Sequence, residues 1–136
     1  MGTRRDARKL AVRVLYAVDV LEVGEAKAWD MIDTENGSGK MIEFARNLVA
    51  GTLKNIEFID KTILKYTENW EMERIASVDK AIIRMGLYEI FFDESIPRNA
   101  TINEAVELAK YFSTEKSHKF VNGILDSSSN ELKKKK

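Results

Sequence analysis

The 136-residue chain has no cysteine, which removes disulfides and thiolate metal sites. It has a single histidine, His118, too few for a histidine-based metal centre. One proline and seven glycines are few punctuators for an all-β fold and favour long helices. No apolar run approaches the ~20 residues a bilayer span needs. No apolar stretch follows the basic start, so no signal peptide is expected, and the cytoplasm is the expected location. There is no glycine-rich phosphate loop. His118 has no carboxylate or nucleophile at a spacing that recommends it as a base, and the carboxylates are scattered. The sequence therefore gives no support for an enzyme, a cofactor or a bound metal.

What is present is unevenly distributed charge. Lysine plus arginine equals aspartate plus glutamate, 22 each. Yet residues 1–13 carry Arg4, Arg5, Arg8, Lys9 and Arg13 against Asp6 alone, and residues 133–136 are four lysines. The body between them is acidic. Cations gathered at the ends of an acidic body point to a polyanion contact. The plain alternative for the tail is a solubilising end, and for the N-terminal cluster a solvated helix face.

Hydrophobic periodicity centres the chain on Val78–Phe92, VDKAIIRMGLYEIFF. Ten of its fifteen residues are apolar or glycine. Wound as a helix, they leave one narrow polar stripe, Lys80, Arg84 and Tyr88, with Asp79 and Glu89 apart from it. Such a helix is buried by several neighbours, so it is expected to be the axis of a bundle, capped by Ser77. Thr3–Leu21 reads as the first helix, with Thr3 as N-cap. Its Arg5, Lys9 and Arg13 form an i, i+4, i+8 row, with Arg4 and Arg8 beside it and Tyr16 one turn beyond. A short helix over 25–33, a loop at 34–39, a helix ending near Asn55 and another capped by Asn55 follow. Trp70 is expected as a core plug in a polar connector over 67–73. Thr101–Glu104 reads as a capping box. Ser113 or Thr114 is expected to cap the last helix, which should fray after Asp126. A single domain over residues 1–136 holds about seven helices on this reading.

The start of the last helix carries Lys116, Ser117, His118, Lys119, Phe120 and Asn122. Backbone amides, two lysines and a hydroxyl make a phosphate site. Asn122 has the chemistry to read a base edge, and His118 shares its side of the helix at i, i+4. Phe120 fits two roles, a stacking face or a member of the core stripe. Charge beside an aromatic such as Tyr16 suits single-stranded nucleic acid, provided the fold unites the two basic patches.

Residues 4–20, RRDARKLAVRVLYAVDV, resemble the arginine-rich opening of the NusB family of bacterial transcription antitermination factors. Residues 78–90, VDKAIIRMGLYEI, resemble that family's central helix, and residues 102–126, INEAVELAKYFSTEKSHKFVNGILD, its C-terminal signature. The resemblance implies an all-α fold of two packed helical sub-bundles. It implies binding of boxA, a single-stranded RNA of ribosomal RNA operon leaders, together with NusE, a small-subunit ribosomal protein, in an antitermination complex on RNA polymerase. Carried over by position, the RNA face is Arg4, Arg5, Arg8, Tyr16, Ser117, His118, Lys119, Phe120 and Asn122, with Lys116 adding charge where some relatives carry an acid. Asp79, on an acidic surface at the start of the central helix, would pair with a basic residue of NusE. Asp6 stands where relatives often add an arginine. The competing expectation is a helical scaffold whose basic strip meets an acidic partner or a second copy of the chain, as a homodimer.

Overall fold

The computed structural model describes residues 3–32, 34, 37–67, 72–113 and 115–134. Seven α-helices follow one another among these residues: α1 (Arg4–Leu21), α2 (Glu25–Asp30), α3 (Gly39–Lys54), α4 (Ile56–Tyr66), α5 (Ser77–Phe92), α6 (Arg98–Phe112) and α7 (Glu115–Lys134). A single 3-10 turn, Met72–Arg74, precedes α5. α1 packs on α2 and α3, while α4, α6 and α7 pack around α5. α5 also touches α1 and α3, so it is shared by both sub-bundles. That is the axial position expected from its sequence.

The reason lies in its residues. Ala81, Ile82, Ile83, Met85, Leu87 and Ile90 are all buried. The polar stripe lies along the seams instead. Lys80 pairs with Asp19 of α1 at 3.1 Å. Arg84 holds both oxygens of Asp60 in α4 at 2.9 and 2.8 Å. Tyr88 lies where Gly51 brings the α3 backbone close: a Cβ on Gly51 would stand 2.2 Å from the Tyr88 ring. One stripe thus ties α5 to three helices. At the C-terminal end Phe92 departs from the buried pattern and is exposed.

Several expected boundaries shift. α5 starts after Ala76, with no side-chain cap, so Ser77 is its first residue rather than its cap. Asn55 does precede α4, but its amide donates back to the Gly51 carbonyl at 2.8 Å instead of capping forward. α6 begins at Arg98, directly after Pro97, so Thr101–Glu104 lies inside the helix and makes no capping box. Proline fixes the φ needed to enter a helix, which moves the start one turn upstream. α7 does not fray after Asp126. Ser128 and Ser129 are buried, and their hydroxyls donate to the carbonyls of Ile124 and Asp126. Arg98 Nη1 donates to the Ser129 carbonyl at 3.1 Å and clips α7 to the start of α6. Thr3 caps α1 as expected, and Ser113 is the residue that ends α6. Trp70 and Thr114 fall outside the described residues.

Candidate nucleic-acid interface

The first turn of α1 settles its own electrostatics. Five cations near a helix N-terminus oppose the macrodipole. Asp6 answers them: the Thr3 hydroxyl accepts from the Asp6 amide at 3.0 Å, and the Asp6 carboxylate takes hydrogen bonds from the Thr3 hydroxyl and amide. Those bonds hold the Asp6 carboxyl below its usual range. An arginine at this position would lose this capping box.

The α1 cations then divide between two faces. Arg4 and Arg8 lean on the Phe44 ring of α3, 5.1 and 5.6 Å from its centroid. Arg8 is buried, and its Nε and Nη2 both donate to Glu89 Oε1, at 3.1 and 2.9 Å. Arg8, expected on the RNA face, thus turns its guanidinium to the central helix. It neutralises a carboxylate of the central helix whose side chain is 1% exposed. Burial pushes the Glu89 carboxyl up, and Arg8 draws it back only in part.

Arg5, Lys9 and Arg13 face α6. Arg5 Nε and Nη2 donate to the two oxygens of Glu104 at 3.0 and 2.9 Å, which lowers the Glu104 carboxyl. Lys9 Nζ stands 3.9 Å above the Tyr111 ring. Arg13 lies 5.8 Å from the Phe112 ring. Tyr111 and Phe112 pack edge to face, centroids 4.8 Å apart at 88°. Tyr16 is exposed on the same helix beyond Arg13. The cationic row of α1 therefore runs alongside α6, with Arg5 at Glu104 and Lys9 and Arg13 at the last turn, which precedes α7 in the chain.

The predicted α7 residues spread over more than one face. Lys116, Ser117 and Phe120 wall a cavity of about 350 Å³ with Arg74, Ile75, Ala76 and Asp79. Lys119 and Phe120 border a second recess against Tyr66 and Thr67 of the α4 end. Phe120 packs on the core while lining both recesses, so its two readings are not exclusive. His118 is half-buried and Asn122 exposed. The Ser113 and Ser117 hydroxyls lie 2.9 Å apart, joining the end of α6 to the start of α7.

Asp79, expected to belong to an acidic surface that meets NusE, is largely enclosed. It is 6% exposed, at the start of α5 in the cavity wall. Burial raises its carboxyl, against hydrogen bonds from Ser117 and Ser113. Its Oδ1 has no hydrogen-bond partner among the described residues. The backbone of the lysine tail is helical through Lys134. Residues 135 and 136 lie outside the described residues.

Sequence reasoning missed Glu89, Glu104, Phe44, Tyr111 and Phe112 as partners of the cationic helix. A signal existed for Tyr111, a large aromatic off the apolar stripe of its own helix. The acids carried none, because which carboxylate meets which arginine is decided by packing.

No group of three or more His, Cys, Asp or Glu side chains that could hold a metal occurs among the described residues. None of the described helices is long and apolar enough to cross a membrane.

The model of the NusB family matches residues 5–130. The transcription antitermination protein NusB of Pelotomaculum thermopropionicum is 47% identical over 124 residues, covering 90% of this chain and 86% of that protein. The solved structure of T. maritima NusB superposes with a TM-score of 0.88 at 36% identity, covering 96% of this chain and 94% of that one. A crystal structure of antitermination factors NusB and NusE in complex with double-stranded RNA gives a TM-score of 0.86 at 28% identity, over 94% of this chain and 96% of that chain. With a matching all-helical fold and a match that runs through nearly the whole length, this chain belongs to the NusB family of non-enzymatic transcription antitermination proteins.

Proposed function

We propose that the protein is an adaptor that binds boxA-type single-stranded RNA with one face and NusE with another, and so holds leader RNA on the RNA polymerase antitermination complex in the cytoplasm. One observation carries the RNA reading: Lys9 and Arg13 stand over an aromatic pair, Tyr111 and Phe112, close in the chain to the lysine-bearing start of α7, and Arg5 continues the cationic row at Glu104 of the same helix. Cations beside aromatic faces are what a single strand needs, because phosphates take the charge and bases take the rings. A related NusB solved with NusE and RNA supports the same pairing of partners.

Arg5, Lys9, Arg13, Lys116 and Lys119 supply the phosphate contacts in this reading, with Arg4 and Ser117 beside them. Tyr16 and Phe120 offer ring faces, and Asn122 and His118 read base edges. Arg8 acts indirectly by anchoring α1 to α5. The NusE contact uses Asp79, whose unpartnered oxygen takes a basic side chain entering past Lys116. Binding both partners raises the effective concentration of RNA at the complex without new contacts.

The experiment is fluorescence anisotropy with a boxA-like strand and its scrambled version, with and without NusE. Preference for boxA that tightens with NusE is the expected result. Equal weak binding to both strands, unchanged by NusE, would move the protein-only scaffold to first place. Asn122→Ala should lower the preference for boxA over the scrambled strand, and an unchanged preference would remove its base-reading role.

A further inference from the structure

Tyr111 is the most exposed large hydrophobic side chain among the described residues, at 56%. It lies on the rim of its helix, outside the core that its neighbours Leu108 and Ala109 join. An aromatic ring left in water is usually mobile, yet this one is held twice. The Phe112 ring meets it at 88° with centroids 4.8 Å apart, and the Lys9 ammonium stands 3.9 Å from its centroid. The cation also keeps a positive charge within one ring's width of whatever contacts the tyrosine. On either side along α1 lie Arg5 and Arg13, the first engaged by Glu104 and the second over Phe112.

We propose that Tyr111 is a base-stacking platform for single-stranded RNA, and that Lys9 takes the phosphate of the nucleotide stacked there. The proposal rests on the RNA-binding reading of this face and adds a subsite to it. A solvent-facing ring packed edge to face on Phe112 offers stacking area at low conformational cost. The ammonium beside it moves from the ring to the phosphate, exchanging a cation–π contact for an ion pair with the strand. Stacking is tolerant of base identity, so this subsite contributes affinity and register while base preference comes from elsewhere.

The test compares wild type, Tyr111→Leu, Tyr111→Phe and Lys9→Ala in RNA-binding titrations at several salt concentrations. The RNA is a boxA-like strand carrying 2-aminopurine at successive positions. Circular dichroism first confirms that the variants are folded, as expected for an exposed side chain. Tyr111→Leu should weaken binding on the order of tenfold with an unchanged salt slope, and one 2-aminopurine position should lose its quenching. Tyr111→Phe should stay within about twofold of wild type and keep the quenching, because the ring and not the hydroxyl does the stacking. Lys9→Ala should reduce the salt slope by about 0.7. Wild-type binding together with a Leu variant of equal affinity and equal quenching would overturn the stacking subsite alone. No binding by wild type would overturn the RNA reading and this subsite with it.

Discussion

Arg5 and Arg8 sit three residues apart on one helix and make carboxylate contacts of the same length, 2.9 Å. Their surroundings differ. The Arg5 side chain is 52% exposed, and its partner Glu104 lies on the α6 surface; the Arg8 side chain is 6% exposed, and its partner belongs to the central helix. An exposed pair is readily exchanged, because water and salt already compete for both charges. A buried pair cannot open without stranding a charge in the core. Two arginines that look alike in sequence are thus placed differently: one stays at the solvent-exposed surface, and the other locks α1 onto α5.

The largest effect should come from separating the partners. Glu89→Ala leaves Arg8 buried and unpaired and should destabilise the protein by about 3–5 kcal/mol in urea unfolding. Glu104→Ala, measured in the same way, should shift the midpoint by only a small fraction of that. Comparable losses from the two would mean that burial does not divide the arginines.

Titration sharpens the contrast, because the two carboxylates are displaced in opposite directions from the same ordinary value of 4.5. Glu89 is raised by burial, so the folded state binds its proton more tightly than the unfolded chain. Its contribution favours folding most below 4.5 and declines as pH rises from there through its raised value. Glu104 is lowered, first by its hydrogen bonds to Arg5, so its contribution is present above 4.5 and is lost as pH falls through its depressed value. Stability profiles of Glu89→Gln and Glu104→Gln should therefore deviate from wild type with opposite slopes. Deviations of the same sign would contradict the assignment.

A smaller effect is expected in RNA binding. Arg5→Ala should reduce the salt slope by about 0.7 while weakening boxA-like and scrambled strands alike. Loss of preference without loss of slope would make Arg5 a base reader instead of a phosphate contact.

The central helix was legible because its composition leaves no other place for it: Ile82, Ile83 and Leu87 need neighbours on every side, and the stripe Lys80, Arg84, Tyr88 marks the seams. The capping of α1 by Thr3 was legible for the same local reason. The errors came where one local signal outranked another. Pro97 started α6 a turn ahead of the Thr101–Glu104 pattern. The serines after Asp126 looked like a fraying end, yet Ser128 and Ser129 are buried against the fold and Arg98 holds the Ser129 carbonyl, so the helix runs through them. At the candidate site, residue types were readable and their orientation was not. Periodicity placed Arg8 beside the exposed row, but only the packing of α1 on α5 shows Glu89 waiting for it. Asp79 was singled out through the family resemblance, while its place in a cavity wall depends on how α5 and α7 meet.

The most direct test is the salt dependence of boxA-type RNA binding in two variants, Arg5→Ala and the double replacement Arg8→Met/Glu89→Leu. The double replacement exchanges the buried pair for apolar side chains of similar size, a change that folded proteins tolerate. If the exposed row of α1 meets the phosphates and Arg8 only anchors the helix, the double variant keeps wild-type affinity and slope while Arg5→Ala loses both. A double variant that remains folded but loses salt-dependent binding, with Arg5→Ala unchanged, would contradict the account.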